Sequence, residues 1–167
     1  MDPFETSKPE SSAYLPPEQY NLQRVARIAT FYHLALIPVA ATRIGDWLVS
    51  GIDILGKAVG LSAINTGVND YWRVPVIGLV VLLAFCCWRV WRNPGKTEWM
   101  QPVVLVHGLL AASYFVYFYL DIKSLAYLLT MILELVLFGV LGYFWWAAKS
   151  PSQPASPSGG PEQGQQS

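Results

Sequence analysis

The stretch "LAYLLTMILELVLFGVLGYFWWAA", Leu125 to Ala148, decides what kind of molecule this is. Twenty-four residues carry one ionisable carboxylate, Glu134, and end in a pair of tryptophans. A helix of that length spans a bilayer core of about 30 Å with some tilt. Composition agrees. Hydrophobic residues are 53% and charged residues 13%, roughly half the charged share of an ordinary soluble domain.

Working outward, three more apolar segments appear. "PVVLVHGLLAASYFVYFYL" runs from Pro102 to Leu120, and "VPVIGLVVLLAFCCW" from Val74 to Trp88. "IATFYHLALIPVAAT", Ile28 to Thr42, is shorter, but Arg24, Arg27 and Arg43 flank it and can snorkel. The reading is an all-α integral membrane protein with four spans, about 25–45, 73–91, 101–120 and 125–148. Six of the seven tryptophans (Trp72, Trp88, Trp91, Trp99, Trp145 and Trp146) fall at segment ends, where an indole suits the membrane–water boundary.

Short links, "RVWRNPGKTE" after span two and "DIKS" after span three, make neighbours antiparallel and predict an up-down-up-down bundle. Between spans one and two, Trp47, Leu48, Ile52, Leu55 and Val59 recur at helical spacing opposite Asp46, Ser50, Asp53 and Lys57. That pattern predicts a short interfacial amphipathic helix at about 46–60, lying along the membrane surface or packed across the bundle's mouth. Residues 1–22 read as a disordered arm and 150–167, rich in Ser, Pro, Gly and Gln, as a disordered tail.

Counting Lys and Arg, the side with both termini holds seven and the other four, which predicts cytoplasmic termini in a bacterial inner membrane or its equivalent. Zero net charge leaves no footprint for nucleic acid. The polar start is not a secretory signal. Cys86 and Cys87 are adjacent, have no other cysteine to pair with, and read as small apolar fillers.

Chemistry is concentrated in few groups. A charged Glu134 in mid-span costs on the order of 3 kcal/mol, so it is expected neutral or partnered. Thr130 and Tyr127 lie on its face, giving an inward stripe Tyr127–Thr130–Glu134. His33 and His107 each sit about five residues inside the cytoplasmic border, at matching depth. Two imidazoles at one level could ligate haem b, hold a quinone headgroup, pass protons towards Glu134, or simply hydrogen-bond. By helix rise Glu134 lies about 6–8 Å deeper, a gap that disfavours one shared metal site and leaves a relay open. Gly108-xxx-Ala112 lets another helix approach, and a pocket bordered by His107, Tyr114 and Glu134 is an option. Arg43 and Asp46, at i and i+3, are expected to pair, and Pro38 to kink span one near His33.

The layout of four spans, a buried acid and many aromatics resembles EXPERA-type sterol isomerase and sterol-binding proteins. The resemblance is one of layout, and none of that family's acidic residues is carried over. GxSxG, HExxH and phosphate-cradling Gly-rich patterns are absent from the sequence. The leading expectation is therefore a non-catalytic accessory subunit or a binder of lipid or another hydrophobic ligand, without a required cofactor. It would contact the bilayer and other membrane subunits or a second copy of itself. A haem or quinone redox protein using His33 and His107, and a proton-coupled carrier centred on Glu134, are the alternatives.

Overall fold

The computed structural model describes residues 15–62, 73–121 and 123–150. Residues 1–14 and 151–167, which hold most of the expected arm and tail, and Trp72 lie outside the described residues. All regular structure among the described residues is helical: α1 (Pro17–Ala41), α2 (Ile44–Ala58), α3 (Arg73–Arg92), α4 (Met100–Val116) and α5 (Leu125–Lys149). A 3-10 turn, Thr97–Trp99, leads into α4, and a π-helical turn, Tyr117–Asp121, ends it.

Three stretches are long and apolar enough to cross a membrane: Arg73–Arg92, Thr97–Leu120 and Leu125–Lys149. A fourth is reached when α1 and α2 are taken together, although they are bent by 89° at the break between them. α1 begins at Pro17, five residues inside the stretch assigned to the arm. Proline at the first helical position sacrifices no intrahelical bond and presets φ, which is why the helix starts there.

Pro38 does not mark the change of direction. The helix runs on to Ala41 and breaks at Thr42, whose backbone is extended. Thr42 donates both its N–H and its hydroxyl to the Pro38 carbonyl, at 3.1 and 2.7 Å. Proline removes the bond to the carbonyl four residues back, and the chain tolerates this within the last turn.

α1 packs chiefly on α3, and α4 chiefly on α5, with lighter contacts from α1 to α5 and from α3 to α4. The four helices thus close a ring in which α1 and α4 are diagonal partners. Gln23 donates to the Trp91 carbonyl at 3.0 Å, tying α1 to α3. Gly108 allows the α4–α5 seam: a Cβ there would lie 3.0 Å from the Phe138 ring.

One end of the ring is a tight apolar cluster of Leu22, Ala26, Cys87, Val90, Met100 and Val103, with Leu141 and others around them. Cations edge it, with Arg27 over Trp91, Arg89 over Trp99 and Lys149 over Trp145 at 5.4–5.5 Å.

α2 docks on the other end. Its buried residues are Asp53 and Gly56, while Trp47, Leu48, Leu55 and Val59 are exposed. The side of Asp53, read from sequence as a solvated face, therefore meets the protein, and the apolar arc faces away from it. Ser124 donates to the Asp53 carboxylate at 3.0 Å and accepts from Ala126 N–H, capping α5 while holding α2. Asp46 also departs from expectation. It accepts from Arg73 at 2.6 Å, not from Arg43.

Candidate functional site

The site grows from helical periodicity. On α1 the buried residues Leu22, Ala26, Ala29, Thr30 and His33 follow steps of three and four, placing His33 at the end of an inward stripe. On α4 the corresponding stripe is Met100, Val103, Val104, His107 and Ala111. On α5, Glu134 and Leu141 lie seven residues apart on the buried face. On α1 and α4 each imidazole thus continues a line of apolar core residues running towards the amino end of its own helix. His33 is 1% exposed, His107 2% and Glu134 8%.

The two histidines meet across the diagonal, Nε2 to Nε2 at 3.3 Å, with ring centroids 5.4 Å apart. Equal depth on α1 and α4, legible from the sequence, is what allows this. Glu134 departs from its expected position. Its Oε2 lies 2.5 Å from His107 Nδ1, in direct contact and not a level deeper. Helix rise locates Cα atoms along parallel axes; it ignores side-chain reach and close helix approach. Here Phe138, one turn beyond Glu134, lies against Gly108, the neighbour of His107, so α4 and α5 approach closely beside this contact.

The far nitrogen of His33, Nδ1, lies 2.6 Å from the Ala29 carbonyl. A carbonyl accepts and cannot donate, so His33 Nδ1 carries a proton. That assignment propagates. A neutral His33 offers a lone pair at Nε2, and His107 Nε2–H must then donate to it. His107 Nδ1 then either accepts from a protonated Glu134 or, in an imidazolium, donates to a carboxylate.

The line from Glu134 through His107 and His33 to Ala29 therefore has three gaps, each filled by one proton. Three protons on one carboxylate and two imidazoles make the group neutral. With two protons, lone pairs face each other in one gap and the buried group is anionic. With four, two N–H groups collide and it is cationic. Both alternatives bury a net charge that low dielectric makes costly.

Of the remaining expected site residues, Tyr114 lies seven residues beyond His107 on α4, on the same helix face two turns on. Its ring centroid is 6.0 Å from that of Tyr127, which in turn is 5.8 Å from that of Tyr117. Thr130 does not join the line: its hydroxyl donates to the Ala126 carbonyl at 2.8 Å. The inward stripe is thus carried by Glu134 and Tyr127.

The sequence reading missed Tyr32, whose ring meets His33 edge-on at 5.2 Å. Adjacent residues point about 100° apart on a helix, so nothing in the pattern announces that contact. It also missed Cys87 (Sγ 3.9 Å from His33 Nδ1) and the Ala29 carbonyl, which no side-chain pattern can flag.

The pocket expected between His107, Tyr114 and Glu134 is replaced by the direct His107–Glu134 contact. A groove of about 750 Å³ lies instead along the α4–α5 seam, lined by apolar residues including Gly108, Ala112, Phe115, Met131 and Phe138. Among the described residues no group of three His, Cys, Asp or Glu side chains is arranged to hold a metal ion. Comparison with protein-family models, with curated proteins and with solved structures finds no match to the chain.

Proposed function

We propose that this chain is a small non-enzymatic membrane protein that binds a hydrophobic ligand or partner subunit in a proton-dependent way. Its four spans run up-down-up-down, α1 being the first, with both termini in the cytoplasm. α2 lies along the opposite surface with Trp47, Leu55 and Val59 in lipid, and the terminal tryptophans form an aromatic belt.

The observation that carries the reading is the unbroken line of contacts Glu134–His107–His33–Ala29, which three protons satisfy with no net charge. A fully satisfied buried polar network is stable at one protonation level and opposes any other. Adding or removing a proton breaks one gap, and the cost is relieved when the helices bearing the gap move apart. The α4–α5 groove shares the seam with His107 and Glu134, so its width is linked to that proton.

With two histidines in the chain, nitrogen NMR of histidine-labelled protein in lipid nanodiscs tests this. The four ring nitrogens are expected to shift together in one transition, which Glu134→Gln abolishes while the protein still folds. Two independent imidazole titrations, unaffected by that substitution, would sink the proposal.

Haem b is the competing reading, favoured by the convergence of two Nε2 atoms whose Nδ1 atoms are both anchored by oxygen, as metal-ligating histidines are. Metal–imidazole bonds of about 2.0–2.1 Å on each side need a separation of about 4 Å, against the 3.3 Å of direct contact. A Soret band in protein from haem-replete cells, lost in His33→Leu, would overturn the proton-linked reading in favour of this one.

A further inference from the structure

We infer that the proton on the Glu134–His107–His33 line exchanges with water through the tyrosine end of the bundle, past Tyr114, and that the opposite end is sealed. The inference rests on the reading above and adds a direction to it.

The order of residues along the four helices carries it. Towards the amino-terminal end of α1 the line stops at the Ala29 carbonyl, which accepts a hydrogen bond and has no proton to hand on. Beyond it lie Leu22 and Ala26 of α1, Val90 of α3, Met100 and Val103 of α4, and Leu141 of α5. Leu22, Ala26, Val90, Met100 and Val103 have no exposed surface. Cys87, with its thiol 3.9 Å from His33 Nδ1, is enclosed in the same cluster and leads nowhere.

Towards the other end the groups change character. Tyr32 of α1 meets the His33 ring edge-on. Tyr114 lies seven residues beyond His107 on α4, and Tyr127 lies seven residues before Glu134 on α5, so both follow the line towards this end. Their rings are 6.0 Å apart, and Tyr117 follows 5.8 Å from Tyr127. Burial falls along this series, from enclosed Glu134 through half-buried Tyr114 and Tyr127 to Tyr117, which is 52% exposed. Asp53 of α2, held by Ser124, is a further acid at this end.

The titratable groups around the line are thus Tyr32 from α1 and Cys87 from α3, with Tyr114 from α4 and Tyr127 from α5 following it two turns on. The phenols lie on the open side and the thiol on the closed one. A proton arriving from water takes the line from two protons and one negative charge to three protons and neutrality; leaving, it reverses the change. Nothing crosses to the far surface.

The test uses the full chain in phosphatidylcholine–phosphatidylglycerol vesicles. Infrared spectroscopy follows deuterium entry into the Glu134 carboxylic acid band, assigned by its loss in Glu134→Gln. Tyr114→Phe is expected to slow that entry on the order of 100-fold, the usual contribution of a positioned proton-transfer group. Tyr143→Phe, at the sealed end, is expected to match wild type. In the same vesicles, under a potassium diffusion potential with a trapped pH dye, proton flux is expected to equal that of empty vesicles.

Wild-type exchange in Tyr114→Phe, with its histidine spectrum intact, would overturn the inference. So would a proton leak that Glu134→Gln removes. Neither outcome touches the coupled titration of the two histidines, which stands or falls by its own measurement.

Discussion

The two halves of the bundle, divided at the level of His33, His107 and Glu134, are built on opposite plans. The half that holds the amino end of α1 is dry and interlocked: Leu22, Val90, Met100 and Val103 have no exposed surface. The half under α2 carries Tyr114, Tyr117 and Tyr127 and the buried Asp53–Ser124 pair. It also carries Pro38, the break at Thr42 and the π turn Tyr117–Asp121. Helix irregularities loosen the i to i−4 ladder and gather where function needs room. The difference teaches where stability and where adaptability reside. The dry half fixes how the helices sit, and the polar half can change protonation without dissolving that arrangement.

Substitutions should separate the halves by size of effect. Met100→Ala, in the dry half, leaves a cavity among four helices and is expected to cost about 2–5 kcal/mol, read from unfolding in mixed micelles. A loss below that seen for Tyr114→Phe would erase the contrast.

Next comes the boundary itself. Glu134→Leu leaves His107 Nδ1 buried without its partner, an expected loss of about 1–3 kcal/mol. Glu134→Gln, whose amide can donate to the same nitrogen, should recover most of it. Equal losses in the two variants would show that shape, not hydrogen bonding, matters at this position.

Gly108→Val probes the seam beside it. Branched carbons would meet the Phe138 ring, where a Cβ already sits at 3.0 Å. Overpacking there is expected to cost about 1–3 kcal/mol and to disturb the His107 nitrogen signals. Unchanged signals would detach the seam from the proton line.

The smallest effect belongs to the rim. Arg73→Gln removes an ion pair whose side chains are 23% and 38% exposed. About 0.2–1 kcal/mol is expected, shrinking further in high salt. A loss of several kcal/mol, measured in the same unfolding assay, would mean that α2 is anchored mainly through Asp46 and not through Asp53.

Much of the fold was legible because membrane helices advertise their length. Spans expected at 73–91, 101–120 and 125–148 correspond to Arg73–Arg92, Met100 through the π turn, and Leu125–Lys149. The matched depth of His33 and His107 was legible too, since α1 and α4 enter from the same end and depth is a count of residues. Asp53 was misplaced because an amphipathic pattern gives two faces but does not say which one meets protein. The Arg43–Asp46 pair was expected from spacing, and a turn of the chain gave Asp46 to Arg73 instead.

The sequence by itself determined that three apolar helices of spanning length form, where those three begin and end to within a few residues, and that one acid and two imidazoles are carried inside apolar segments. Periodicity and the length of a bilayer span are local, one-dimensional properties. Tertiary structure decided that those three groups form a single line ending on Ala29. It did so because lateral approach, set at Gly108 and Phe138, and the reach of side chains across a diagonal depend on distances between helices.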